Sequence, residues 1–306
     1  MPIVLTSNAS ATTASLNLSR ANESLRTSLE RLSSGKRINH SRDDAGGLAV
    51  AYKIKSEGSR TLAVMQNIRN ALSYLQLQDG SMEAVGKIFD RMSELRTMAS
   101  DITKNSGDIE NYSKEFVELQ LQLDQIKNDK YNGISLFAGN GPPPANGGLK
   151  GTGFYRKSDG SQVTYEKFGR ILQASPSSAM KTVSINVVNL EFVASYDALD
   201  PSKVQVNAIG YADRITDFAI SLFTDAMGKI ADVRAENGAE QNRLRYTLLS
   251  MESFYANMEA AHGRIMDADI AAESTRFARS NILVQSSSSM TVQAKQLTSL
   301  ALTLIQ

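Results

Sequence analysis

Three short groupings in this 306-residue chain carry residue types that could do chemistry. Asp43 and Asp44 are neighbouring carboxylates, the raw material of a general acid–base pair. Carboxylates just ahead of an apolar run more often accept hydrogen bonds from the first amides of a helix and complement its dipole. Ser34-Gly35-Lys36 has the outline of a phosphate loop. That loop needs a glycine five residues before the Gly-Lys pair and a Ser or Thr after it, and here Glu30 and Arg37 stand there. His40 and His262 have no partner at metal-binding spacing, and the chain has no cysteine to complete a zinc site. No Gly-x-Ser-x-Gly elbow is present. No catalytic, cofactor-binding or metal-binding residue is assigned, and a non-enzymatic role is expected.

Composition narrows the alternatives. Lys plus Arg number 33 and Asp plus Glu 32, for a net charge of +1. This balance argues against a nucleic-acid binder driven by phosphate charge. No segment reaches the apolar length of a membrane span. Residues 3–19 hold no Lys or Arg and no apolar run of signal-peptide length, so no Sec-type leader is expected.

The elements that would position any site are long helices. Apart from Pro2, the prolines lie at 142, 143, 144, 176 and 201, leaving 3–141 and 202–306 free for helix. Leu18, Ala21, Leu25, Leu29 and Leu32 step by three and four. Met65, Ile68, Leu72, Leu75, Met82, Val85, Phe89 and Met92 hold a coiled-coil-like frame, with Gly80 a local cost rather than a stop. Asn105-Ser106-Gly107 breaks the pattern ahead of a helix bearing Phe116, Leu119 and Leu123. Leu244, Leu248, Met251, Tyr255 and Met258 repeat the spacing, as do Met290, Ala294, Leu297, Ala301 and Leu304 after Gly263. Each arm needs a helical partner, and the nearest is the other arm.

Between the arms, Val183, Ile185 and Val187 alternate, followed by Val188, Leu190 and Phe192 on the shifted parity. This reads as a bulged strand or two short strands. The expected fold is mainly α: a long antiparallel helical bundle or coiled coil of the two arms, with a small central β-rich module. The ends are unusual. Residues 3–19 carry no charged side chain and residues 282–306 carry only Lys295, a composition suited to burial in a larger assembly.

The arms meet a hinge at 29–50. Gly35 can take the positive φ that ends a helix. Ser41-Arg42-Asp43-Asp44 then has the S-x-x-D form of a capping box, with Ser41 or Asp44 as the cap. The block Leu32-Ser33-Ser34-Gly35-Lys36-Arg37-Ile38-Asn39, with Asp43-Asp44-Ala45-Gly46-Gly47-Leu48-Ala49, resembles the hinge of bacterial flagellins. Tyr131-Asn132-Gly133-Ile134-Ser135-Leu136-Phe137 is similar to that family's Phe-Asn-Gly turn. Gly238-Ala239-Glu240-Gln241-Asn242-Arg243, Arg264-Ile265-Met266-Asp267-Ala268-Asp269 and the closing Leu304-Ile305-Gln306 resemble its C-terminal blocks.

The resemblance implies a flagellin that polymerises with itself into a helical motility filament. The alternative it leaves is a hook–filament junction (hook-associated) protein of the same superfamily, whose hinge tends to read Asp-Asp-Pro. It implies terminal helices at 1–40 and 264–306 lining an inner tube, a helical bundle at 41–135 and 204–263, and an exposed variable module at 136–203. Self-assembly would fall to Leu18, Leu25, Leu29, Leu32, Met290, Leu297, Leu300 and Leu304, and hinge geometry to Gly35, Asp43 and Asp44. Implied partners are the flagellar type III export apparatus, an export chaperone, the filament cap and hook-associated proteins, with no nucleic acid and no membrane. Arg91, Leu95 and Glu115 match the family's contacts for Toll-like receptor 5. Some family members carry a metallopeptidase in the centre, but that needs His-Glu-x-x-His, and 134–203 contain no histidine. The implied location is outside the cell, in the filament.

Overall fold

A computed structural model describes residues 8–138, 150–156, 162–173, 182–194 and 215–303, with side chains described no further than 296. The Pro142–Pro144 run and Leu304 lie outside them. The elements are α1 (Ala9–Ser34), α2 (Ala45–Met98), α3 (Ser106–Lys127), β1 (Lys130–Tyr131), β2 (Ile134–Ser135), β3 (Phe137–Ala138), β4 (Lys150–Arg156), β5 (Gln162–Gln173), β6 (Thr182–Asn189), α4 (Leu190–Ala194), a 3₁₀ turn (Ile215–Asp217), α5 (Ile220–Met266) and α6 (Ile270–Thr303). The chain forms two compact units, one of residues 1–59 with 255–306, the other of 60–254. Among the described residues, no helix is long and apolar enough to cross a membrane.

In the 60–254 unit, the apolar stripe of α2 is the spine of the core. Ile68, Leu75, Met82, Val85, Phe89 and Met92 are all buried, and Gly80 lies inside an unbroken helix. They pack with Phe116 and Leu123 of α3 and with Phe223, Ala226, Ile230, Val233 and Leu244 of α5. The break before α3 is capped on both sides. Asn105 accepts from the Asp108 amide at 2.8 Å, and the Asp108 carboxylate accepts from the Asn105 amide at 3.2 Å. At one end of this core Phe116 meets Phe218 with ring centres 5.3 Å apart and Phe223 edge-on at 6.1 Å.

The stripe has one polar member. Val64, Ala71, Gln78, Val85, Met92 and Ala99 recur every seven residues and are all buried, so Gln78 is held where a hydrophobe is the norm. Its amide nitrogen donates to the Leu136 carbonyl at 2.8 Å and its oxygen accepts from Asn237 of α5 at 2.8 Å. Gln241 in turn donates to Asn237, and the Tyr74 hydroxyl reaches the Ser135 and Leu136 carbonyls. These bonds satisfy groups whose burial would otherwise be costly.

β1 and β2 form a hairpin around Asn132 and Gly133, whose φ values of 51° and 76° are those of the turn that suits the strand twist. The larger sheet has the order β3-β6-β5-β4, with β3 parallel to β6 and the remaining pairs antiparallel. The expected bulge or second strand after Val187 is absent. The parity shift at Val188 is instead a strand-to-helix change, because the Asn189 side chain accepts from the Phe192 amide at 3.2 Å and opens α4. Ile185, Val188, Leu190 and Val193 join the same core as the helices.

The sheet is pinned to α5 through polar groups. Both oxygens of Glu240 accept from the Asn186 amide, at 2.9 and 3.1 Å, and Glu236 takes the Asn186 side-chain amide at 2.9 Å and pairs with Lys167. Burial, the largest cause, pushes the Glu240 carboxyl above its ordinary value; the Asn186 amide and the Arg243 and Lys167 charges oppose it, and Glu236 adds to it.

Candidate functional site

The hinge and the α1–α6 pair belong to the other unit. Gly35 ends α1 at φ 68°, and its amide reaches back to the Arg31 carbonyl at 2.9 Å. The chain beyond it bonds to the α5–α6 junction. The Arg37 amide donates to Met266 O and the Ala268 amide to Gly35 O, while the Arg37 guanidinium donates to Ile265 O at 2.8 Å. Ile38, Ala51 and Met266 close a small core beside this connection.

Asp43 and Asp44 divide the work. Asp44, not Ser41, stands at the helix start, since α2 begins at Ala45 and the Asp44 carboxylate accepts from the Gly47 amide at 2.8 Å. Asp43 accepts from the amides of Asn39 and His40 at 3.2 and 3.0 Å and fixes the connector. The His40 amide foremost, then the Asn39 amide and the His40 and Arg31 charges, hold the Asp43 carboxyl below its ordinary value against a raising effect of burial. Both carboxylates are thus employed as acceptors for main-chain amides. His40 Nε2 lies 2.7 Å from a Glu30 carboxylate oxygen at the end of α1.

Between α1 and α6 the inward residues are small or polar. Ala21 and Ser28 of α1 and Glu273, Ser280, Thr291 and Ala294 of α6 are buried. Asn8 caps α1 through its oxygen, which accepts from Ala11, and its amide nitrogen donates to Ala294 O at 2.9 Å. At the other end Glu273 is 4% exposed between Arg276 at 3.1 Å and Arg31 at 3.9 Å. Several large apolar side chains point into solvent instead. Leu16 and Leu29 of α1 and Ile282, Leu283, Met290 and Val292 of α6 are exposed. An open groove of about 610 Å³ lies between Ala9, Thr13 and Asn17 on one side and Ser286, Ser287 and Met290 on the other.

Of the sequence-derived assembly residues, Leu18, Leu25 and Leu32 are half-buried, while Leu29 and Met290 are exposed. The stripe from Met290 to Ala294 divides, with Ala294 inward and Met290 outward. The side chains of Leu297 and Leu300, and all of Leu304, lie outside the described residues. In the 60–254 unit Arg91 forms a two-pronged pair with Glu115, at 2.7 and 3.2 Å, and a third bond to Glu94, which raise its pKa. Leu95 is fully buried, so it offers no surface to a receptor, and only Arg91 and Glu115 of that trio face outward. Gln78 and Asn237 escaped sequence reasoning, because polar residues on a helix read as solvated; the signal was the seven-residue spacing itself.

Residues 5–141 match the bacterial flagellin N-terminal helical region, and residues 220–305 match the bacterial flagellin C-terminal helical region. The flagellin of Bacillus subtilis is 30% identical over 289 residues, covering 91% of this chain and 92% of that protein. The flagellar filament 33 kDa core protein of Treponema phagedenis is 28% identical over 305 residues, covering 99% of this chain and all of the relative. A solved structure described as a flagellar hook-associated protein from Vibrio parahaemolyticus aligns with a TM-score of 0.54 at 14% identity, over 74% of this chain and all of that one; this is a likeness of fold. On its two terminal regions and its near-full-length relatives, the chain belongs to the flagellin family.

Proposed function

We propose that this chain is a structural subunit that polymerises with copies of itself into the helical filament of the bacterial flagellum and serves motility rather than catalysis. The observation that carries the reading is the reversed polarity of the α1–α6 pair. Small and polar residues fill its buried positions, whereas Leu16, Leu29, Ile282, Leu283 and Met290 are exposed and Leu18, Leu25 and Leu32 only half-buried. Covering one such leucine is worth about 2 kcal/mol, and in a helical lattice the gain recurs at every subunit.

Residues 1–40 and 264–306 form the inner wall, 41–135 with 204–263 the next shell, and 136–203 the outer face. Leu18, Leu25, Leu29, Leu32, Met290, Leu297, Leu300 and Leu304 supply subunit contacts. Gly35, Asp43 and Asp44 set the angle between layers. The subunit leaves the cell through the flagellar type III apparatus with a chaperone and is added between hook-associated proteins and the filament cap. Any contact with Toll-like receptor 5 on the matching helices falls to Arg91 and Glu115, since Leu95 is inside.

The test is the double variant Ile282→Asp, Leu283→Asp. Each new carboxylate would be buried unpaired in a polymer but stays in water in the monomer. Filament growth should stop while the 60–254 unit keeps its helical circular dichroism and its unfolding midpoint. Filaments of normal length and yield would overturn the reading.

A further inference from the structure

Among the outward apolar residues of the α1–α6 pair, Met290 is the one whose chemistry can change after synthesis. It is 65% exposed and lines the groove between the helices opposite Ala9, Thr13 and Asn17. Met65, Met82, Met92, Met258 and Met266 are each buried to 91% or more. Met227, on α5, is the other exposed methionine among the described residues, and it belongs to the other unit.

We propose that Met290 is an oxidative modification site that governs assembly, with a peroxide as the co-substrate. This rests on the reading of the α1–α6 pair as the polymerising surface. The thioether sulfur attacks one oxygen of hydrogen peroxide. An S–O bond forms, the O–O bond breaks, and the departing hydroxide takes the remaining proton as water. The sulfur loses two electrons and the peroxide gains them. The product is a polar, chiral sulfoxide. In a free subunit its oxygen stays hydrated. On a surface that must lose water to pack, that oxygen needs a donor; the Ala9 and Ala14 methyl groups of the groove wall offer none, and the Thr13 hydroxyl already donates to the Ala9 carbonyl at 2.9 Å. Methionine sulfoxide reductases of both epimer classes would reverse the change.

The test treats purified full-length monomer with millimolar hydrogen peroxide, maps sulfoxide by peptide mass spectrometry, and then measures the critical concentration for filament growth. Three chains are compared: the parent, Met290→Leu and Met227→Leu. Leucine keeps the apolar volume and cannot be oxidised. Met290 should be modified ahead of the buried methionines, and the oxidised parent should need about tenfold more protein to polymerise. Oxidised Met290→Leu should grow as untreated protein does, Met227→Leu should be as sensitive as the parent, and both reductases together should restore growth. Equal inhibition of Met290→Leu, or unimpaired growth of the oxidised parent, would overturn the proposal. Failure of the untreated parent to polymerise at all would instead overturn the assembly reading beneath it.

Discussion

The Asn8 side chain joins the two ends of the molecule: its amide nitrogen donates to the Ala294 carbonyl 286 residues away, across 2.9 Å, while its oxygen caps α1. One residue thus starts a helix and ties it to its partner. Asn8→Ala should cost about 1 kcal/mol, and Asn8→Ser should recover the cap while still losing the tie. Hydrogen exchange at the Ala11 and Thr12 amides checks this, with acceleration in the alanine variant and unchanged protection in α3. Equal protection in both variants and the parent would deny the cap any role.

Gln78 and Asn237 form a polar pair inside an apolar stripe, which makes single replacements costly. Asn237→Leu strands the Gln78 oxygen and removes the partner of Gln241. It should lower the unfolding free energy by about 1–3 kcal/mol. Adding Gln78→Leu removes the stranded oxygen, so the double variant should be more stable than the sum of the single losses predicts. Urea denaturation of the four chains in this cycle gives the coupling, and strict additivity would contradict a shared network.

Gly35 has φ 68°, and a Cβ there would meet nothing within 4 Å. Any cost of substitution is therefore backbone strain rather than a clash. Gly35→Val should lose about 1 kcal/mol or more, and Gly35→Asn should lose less, since asparagine visits this region more readily. Thermal unfolding ranks them. The valine filament should also change its helical form, because a small angle per subunit accumulates along a lattice.

Glu240 gives the sheet attachment a pH dependence. Burial raises its folded pKa above the unfolded value, so its stabilising contribution is full below the unfolded pKa and is lost as pH rises through the folded one. The parent should gain stability relative to Glu240→Gln as pH falls from 7 to 4. A relative loss on acidification would mean that the Asn186 amide and the Arg243 and Lys167 charges outweigh burial.

Much of this architecture was legible in the residues. The Ile68–Leu75–Met82–Phe89 repeat announced the spine, because a seven-residue apolar period has few other uses. The glycine at 35 marked a helix end by its backbone freedom, and Asn105-Ser106-Gly107 marked a break ahead of α3, where the Asn105 side chain proves to be the cap. The misses have a common cause: their partners are distant or their geometry is local. Ser41 fits the capping pattern as well as Asp44 does, and only the path of the connector selects Asp44. Val187 and Val188 read as a slipped strand, because the Asn189 cap that bends the chain into α4 leaves no hydrophobic signature. Leu95 looked available for a receptor on resemblance, yet it follows Ile88 and Met92 on the buried face of α2. The reversal of the α1–α6 pair was half visible, in ends too poor in charge to stand alone. Which face each leucine took required the partner helix.

The central claim is that the outward apolar face of the α1–α6 pair is buried between copies of this chain. Electron cryomicroscopy of the purified, polymerised protein with helical reconstruction tests it most directly. The account predicts a tube whose inner wall is built from α1 and α6, with Leu16, Leu29, Ile282 and Leu283 covered by neighbouring subunits. A filament in which these side chains stay in solvent, or a protein that forms no helical filament under any growth condition, would contradict it.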